Sequence, residues 1–460
     1  MKKQVNPIIA AVILIAVIGG VLGLYTKGLL GRKKGQMGRP GGGGPQAMAP
    51  PPHGLRTVDV GTFAGWVRPG FVDGRGLQAR FNGPSAIAAA PDGSLYVCDS
   101  RNHRLRRVTP DGATTTVAGS GPVDCLPGGF ADGPADGARL FNPSGVCVGR
   151  DGAIYLADTG NHRIRILRSG RVSTLAGGPT ERDALGFERG GFRDGPGPEA
   201  RFCYPTALAV TASGDLCVGD LGNGAIRKVT PDGRVSTVAR GAALKSPTGL
   251  ALLAGGLRVA DSEAAALLDV TGTAVKPVVL GQLDQPPRRP CAVCPVPGGG
   301  MVVADAEWHA IFGVTATGGC VLVAGFLPPQ PGPGYRDGTG DVARFGRPCA
   351  LAWAKGTLYV ADFGNNCIRA IGGPGLDAAA WQASLESPIP FGSRPSLQGG
   401  PEGGGPGGPG GPGGGGRRGP PGAGGGAERG PGGPGGGRAG GRPGPGDNSG
   451  AGRPLGVRKG

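Results

Sequence analysis

The sequence predicts an all-β chain, a six-bladed β-propeller, on three observations. Six segments end a run of aliphatic residues on aspartate: LYVCD at Asp99, IYLAD at Asp158, LCVGD at Asp220, LRVAD at Asp261, MVVAD at Asp305 and LYVAD at Asp362. Between them lie turn signals rather than a helical period. The composition agrees: 99 Gly and 46 Pro in 460 residues, with aromatics at only 5%, leave Val, Leu, Ile and Ala to fill tightly packed sheet layers.

The intervals between the six aspartates are 59, 62, 41, 44 and 57 residues, so two spacings exist. The shorter is the length of a four-stranded blade, and the longer is the same blade with an inserted loop. The second unit shows the strands most clearly. After Asn142-Pro143 come SGVCV, the turn Asp151-Gly152, AIYLAD, the turn Thr159-Gly160-Asn161, HRIRIL, the turn Ser169-Gly170, and RVSTLAG. Each connection has the Asp-Gly or x-Gly chemistry that tight hairpins need.

The motif "LYVAD, two residues, Asn, then Ile-Arg and an aliphatic" resembles the NHL repeat over roughly residues 56–373. Asn102, Asn161, Asn223 and Asn365 match it in blades 1, 2, 3 and 6. Blades 4 (DSEAAALLDV) and 5 (DAEWHAIFGV) lack the Asn and are placed by their Asp and their spacing. The resemblance implies a propeller in which the six aspartates and four asparagines are structural repeat residues.

Ring closure is argued from a missing strand. The sixth unit stops after CIRAI at Ile371, whereas Arg56–Gly65 (RTVDVGTFAG) has the pattern of a fourth strand, matching Arg171–Gly177. An N-terminal strand thus completes the last blade and removes the sheet edges of an open ring.

Four long loops also share a pattern. Asp73, Asp132, Asp194 and Asp337 each precede an arginine by seven residues (Arg80, Arg139, Arg201, Arg344) and come two residues after an aromatic (Phe71, Phe130, Phe192, Tyr335). The regularity predicts one loop conformation, with the aromatic packed down and the loop arginine reaching a carboxylate.

Arg106, Arg165, Arg227 and Arg369 hold one repeat position in the third strand. Facing the channel, they would form an electropositive ring for an anionic ligand; facing a neighbour, they pair with the strand-end aspartates. The second reading is more economical, because a residue present in every good repeat serves the repeat. Glu263 and Glu307 break the symmetry, two residues after the Asp in blades 4 and 5, and are the remaining candidates for a ligand site. No catalytic set, metal-ligand set or cofactor motif assembles, since His103, His162 and His309 are the only propeller histidines.

The ten cysteines do not read as a disulfide framework. Cys147 and Cys294 align with alanines of the first strand, Cys291 and Cys349 with Ser144, and Cys98 with Ala157, so buried free thiols are expected. Cys291 and Cys294 form a Cys-x-x-Cys, but strand alternation sends their side chains to opposite faces. Cys125 and Cys203, in or beside loops, are the pair that export could join.

Outside the propeller the sequence changes character. Residues 1–34 carry an uncharged run, Pro7 to Tyr25, flanked by Lys2, Lys3 and by Lys27, Arg32, Lys33 and Lys34. At 1.5 Å per residue it is about long enough to cross a ~30 Å hydrocarbon layer as an uncleaved anchor contacting membrane lipid. The positive-inside count favours a cytoplasmic propeller, while a short Lys-Lys anchor resembles the arrangement that exports the domain on its C-terminal side; an exported propeller is the expectation adopted. Residues 35–55 read as a Gly/Pro-rich linker, and 374–460 as a disordered Gly/Pro/Arg-rich tail.

The net charge of +16 sits mainly in these flanks. Residues 1–56 hold eight basic side chains and no acid, residues 373–460 nine basic and five acidic, leaving the middle near +4. Specific nucleic-acid binding is therefore not expected. The functional expectation is a membrane-anchored, non-catalytic binding scaffold for a protein or glycan ligand. The alternative is a propeller hydrolase or lyase, lactonase-like or amidating-lyase-like, with a channel-facing site.

Overall fold

The computed structural model describes residues 55–386, apart from 124–127, 185, 282–284 and 328–331. The apolar N-terminal run, the linker up to residue 54, Cys125 and the Gly-rich C-terminal segment lie outside the described residues. Among the described residues no helix is long and apolar enough to cross a membrane.

Six antiparallel sheets succeed one another along the chain. Blade 2 is typical: an inner strand Gly145–Val148, a second strand Ile154–Asp158, a third Arg163–Arg168 and an outer strand Arg171–Ala176, paired in that order. The inner strands of the other blades are Pro84–Ala89, Pro205–Val210, Pro247–Leu253, Pro290–Pro295 and Pro348–Ala354. Each inner strand packs against the next, and the sixth against the first, so they form a closed ring around the channel. Five of the six open on proline, which lacks an amide proton and is tolerated at a strand's first position.

Closure is made by the N-terminal strand. Asp59–Gly65 pairs with Cys367–Gly372 of blade 6, with Asp59 opposite Gly372 and Gly65 opposite Cys367. The first and last parts of the propeller are thereby hydrogen-bonded into one sheet, which leaves that blade no open edge at the seam.

The register fixes which parts share a face. Pro84 lies opposite Asp99, and Pro205 opposite Asp220, so inner strands begin where second strands end. The turn between second and third strands and the long inter-blade loops therefore occupy one face, here the upper face. Each such turn is a 3-10 turn closed by a left-handed residue in blades 1, 2, 3 and 6: His103, His162, Gly224 and Asn366.

One segment differs from the sequence expectation. Residues 374–386, expected to begin a disordered tail, are folded. Pro374–Leu376 makes a 3-10 turn and Ala378–Glu386 an α-helix. Trp381 is 1% exposed, donates from Nε1 to the Gly375 carbonyl at 2.7 Å, and joins the apolar cluster shared by blades 5 and 6. A β-carbon on Gly313 would come within 2.8–2.9 Å of the Trp381 ring, so the missing side chain in that third strand makes the seat for the indole. Burial of the tryptophan, not helix propensity, holds a nine-residue helix that would be marginal alone.

Candidate functional site

The four recurring arginines are not a channel ring. Arg106, Arg165, Arg227 and Arg369 are completely buried. In blade 1, Arg106 donates from Nη1 to Asp99 Oδ2 (2.7 Å) and the Arg80 carbonyl (3.1 Å), and from Nη2 to Asp73 Oδ1 (2.6 Å) and the Val72 carbonyl (2.9 Å). Blades 2, 3 and 6 repeat this, with Arg165 on Asp158 and Asp132, Arg227 on Asp220 and Asp194, and Arg369 on Asp362 and Asp337. The guanidinium fork joins a carboxylate of the blade to a carboxylate of the loop, with all four Nη protons satisfied. A group so enclosed has no donor left on Nη for a ligand.

The asparagines complete the clamp. Asn102 donates to Asp99 Oδ2 and to the Gly70 carbonyl, each at 2.8 Å. Asn161, Asn223 and Asn365 bridge their own aspartates to Gly129, Gly191 and Gly334 in the same way. The remaining oxygen of Asp99 accepts the Asn82 amide at 2.7 Å. Burial pushes the Asp99 carboxyl up to about 6 against the opposing pull of Arg106, and burial likewise raises Asp158, Asp220 and Asp362.

The long loops do share one conformation, but the loop arginine is not the one that pairs with the loop aspartate. Asp73 accepts from Arg106 and from Thr116, both its amide and its hydroxyl, while Arg80 donates to the carbonyls of Leu77 and Ala79. Arg201 does the same with Pro198 and Ala200. The spacing of seven instead closes a small β-bridge, Val72 with Arg80, which recurs as Ala131 with Arg139, Arg193 with Arg201 and Arg336 with Arg344. Sequence spacing recorded a backbone contact rather than an ion pair.

The loop aromatics are half-packed. Phe71, Phe130 and Phe192 are 38%, 43% and 40% exposed, yet each lies over its clamp arginine, 4.6–4.9 Å from guanidinium carbon to ring centre. The inner side of Arg106, Arg227 and Arg369 is covered by a second ring: Phe81, Phe202 or Phe345. Each loop thus presents one aromatic face to solvent and keeps the other on a cation.

Stitches between blades come from the left-handed residue after each turn. His103 Nδ1 accepts the Asn142 amide, His162 Nδ1 the Tyr204 amide, and Asn366 Oδ1 the Gly83 amide. These histidines serve the ring and face no common centre. Among the described residues no group of three His, Cys, Asp or Glu could hold a metal ion.

Glu263 and Glu307 are exposed turn residues of the upper face. Glu307 lies 3.4 Å from Arg288. The described cysteines are free, and burial raises each of their thiols, Cys203 to about 11 and Cys294, Cys320 and Cys349 to about 12. Cys291 donates its thiol to the Pro348 carbonyl of the next blade at 3.1 Å, and Cys349 to Pro84 at 3.4 Å, taking the place of the hydroxyl by which Thr206 bonds the Pro247 carbonyl. Their role is packing and stitching, as their alignment with small residues suggested.

A model of the NHL repeat matches residues 81–107 and 142–167, which are the clamp halves of blades 1 and 2. The chain carries NHL repeats. It is 32% identical over 173 residues to Protein SUPPRESSOR OF QUENCHING 1, chloroplastic, of Arabidopsis thaliana, a match spanning 34% of this chain and 16% of that protein. It is 39% identical over 103 residues to NHL repeat-containing protein 2 of Bos taurus, across 21% and 13% of the two chains. Teneurin-3 of Danio rerio is 37% identical over 108 residues, covering 21% of this chain and 4% of the teneurin. The chain therefore spans no more than a sixth of the length of these curated relatives. Among solved structures, an auxiliary nutrient binding protein from Bacteroides thetaiotaomicron shares the fold with a TM-score of 0.51 at 16% identity, over 68% of this chain and 76% of that one.

Proposed function

We propose that this NHL propeller is a membrane-anchored binding scaffold that presents its upper face to a protein or glycan ligand, outside the cytoplasm. The observation that carries the reading is the crown of clamped loops. Four of six inter-blade connections are long and are fixed by buried arginines that fork to a loop aspartate, and three of the four hold a half-exposed phenylalanine ring outward. Loops held rigid by a scaffold lose little entropy on binding, and aromatic rings are efficient anchors for sugars and for protein side chains. The uncharged stretch from Pro7 to Tyr25, flanked by lysines and arginines, supports the anchor.

The test uses the full-length chain in detergent on arrays of glycans and of extracellular proteins. We expect a ligand whose binding falls at least tenfold in the Phe130→Leu, Phe192→Leu double variant, which keeps an apolar cover over the arginines. A ligand held equally by that variant would place recognition elsewhere. Protease digestion of the propeller in intact cells tests the exported orientation; full protection overturns it.

A further inference from the structure

Repeat positions that diverge locate a second feature of the upper face, at the mouth of the channel. The residue immediately before the inner-strand proline is Gly83, Asn142, Tyr204 and Ser246 in blades 1 to 4, but Arg289 and Arg347 in blades 5 and 6. Two residues after the second-strand aspartate, blade 1 carries Arg101 where blades 2, 3 and 6 have glycine and blades 4 and 5 have Glu263 and Glu307. Blades 5, 6 and 1 are consecutive around the ring, because the sixth inner strand packs on the first.

The three arginines converge. Arg101 and Arg347 both lie against the ring of Phe363, with guanidinium carbons 5.1 and 5.3 Å from its centre. Burial, with the positive charges of Arg289 and Arg101, draws the Arg347 guanidinium below the ordinary arginine range. Neither Arg101 nor Arg289 forms an ion pair among the described residues; in blade 5, Asp305 is occupied by the backbone amides of Arg288, Arg289, Glu307 and Trp308, and Glu307 is engaged by Arg288. His309 of blade 5 faces the same charge and is held neutral, pushed down to about 4 by burial and by Arg347.

None of this serves the repeat. A clamp arginine sits in the third strand between two carboxylates, whereas these three sit at the rim, from three blades, in positions where no other blade carries a basic residue. Like charges gathered at one rim are relieved by a bound anion, and guanidinium forks match the oxygens of carboxylate, sulfate and phosphate.

We propose that the channel mouth over blades 5, 6 and 1 binds an oxyanion group carried by the ligand, with Arg101, Arg289 and Arg347 as its donors. This rests on the scaffold reading and specifies it: the glycan or protein recognised is acidic, with its charged group seated at the mouth.

The test is thermal unfolding and calorimetric titration of the full-length chain with inorganic sulfate, against chloride at equal ionic strength. Wild type should gain a sulfate-specific rise in unfolding midpoint, and Arg289→Gln with Arg347→Gln should weaken sulfate at least tenfold. Arg101→Gln, at an exposed turn, should weaken it several-fold without touching the fold, and Arg234→Gln, on the opposite face, should leave it unchanged. Absence of a sulfate-specific effect in wild type, or an equal effect in the mouth variants, overturns the proposal. The arrays separate the two readings. A neutral ligand held equally by wild type and the mouth variants defeats the oxyanion site and leaves the scaffold, while sulfate binding with no array ligand does the reverse.

Discussion

Blades 1, 2, 3 and 6 differ from blades 4 and 5 in how they satisfy the same buried aspartate. In the first set the carboxylate meets an asparagine, an arginine and one loop amide. In blade 4, Asp261 instead accepts the amides of Lys245, Ser246 and Ala264, and in blade 5, Asp305 accepts those of Arg288, Arg289, Glu307 and Trp308. The arginine position is filled there by Leu268 and Phe312, both buried. The constant element is therefore an aspartate that gathers the backbone amides of an inter-blade connection. The arginine is an addition required by the long loop, whose own aspartate it ties down.

The comparison is broken most severely by removing one arginine. Arg227→Leu makes blade 3 resemble blade 4 in its core, but leaves Asp220 with only Asn223 and the Cys203 amide. We expect a loss of about 3–5 kcal/mol, the usual cost of stripping one partner from a buried ion pair. Urea unfolding measures it. A cost below about 1 kcal/mol would mean that backbone amides suffice in every blade and that the fork is dispensable.

Trp381→Ala should cost about 3 kcal/mol by the same measurement, for a large buried aromatic whose site cannot fully collapse. That residue also marks where sequence reading stopped. The propeller, its six blades, the closing strand and the pairing of Arg106, Arg165, Arg227 and Arg369 with strand-end aspartates were legible, because each is written several times over at equivalent positions. The helix at Ala378–Glu386 was not, since it occurs once and comes after a glycine-rich stretch; its signal was the pair Trp381 and Gly313, which only the fold brings together. The partner of the loop arginines, backbone carbonyls rather than a carboxylate, was misread for a related reason. Spacing within a loop reports that a conformation recurs and does not say which atoms make it. The arginines at the channel mouth were missed because they occupy unequal positions in three blades, and converge only when the ring closes.

A sharper version of the comparison concerns protonation. His103 and His162 accept an amide at Nδ1, whereas Nδ1 of His309 has no hydrogen-bond partner. Its folded pKa, about 4, lies below the ordinary histidine value of 6.5. The unfolded chain therefore binds a proton first as pH falls, so the stability contributed by neutral His309 is complete above pH 6.5 and is lost between about 6.5 and 4. The loss should be about 3 kcal/mol. His309→Asn, which suits the left-handed backbone as Asn366 does in blade 6, should flatten that part of the profile. An unchanged pH profile would show that the acid sensitivity arises elsewhere.

The smallest expected effect separates holding the loop from holding the blade. Asp132 is about half exposed, 44% for its side chain, and accepts from Arg165 and from the amide and hydroxyl of Thr174. Asp132→Ala leaves Arg165 paired with buried Asp158, so the global cost should be only about 1 kcal/mol. The effect should be local instead: Thr174 and the bridge between Ala131 and Arg139 should lose hydrogen-exchange protection, while the third strand of blade 2 keeps its own. Blade 4 has no such loop to release, and its exchange should not change. If Asp132→Ala instead cost as much as Arg227→Leu, loop and blade would unfold as one unit. The crown on the upper face would then be part of the propeller's cooperative core rather than a set of loops clamped onto it.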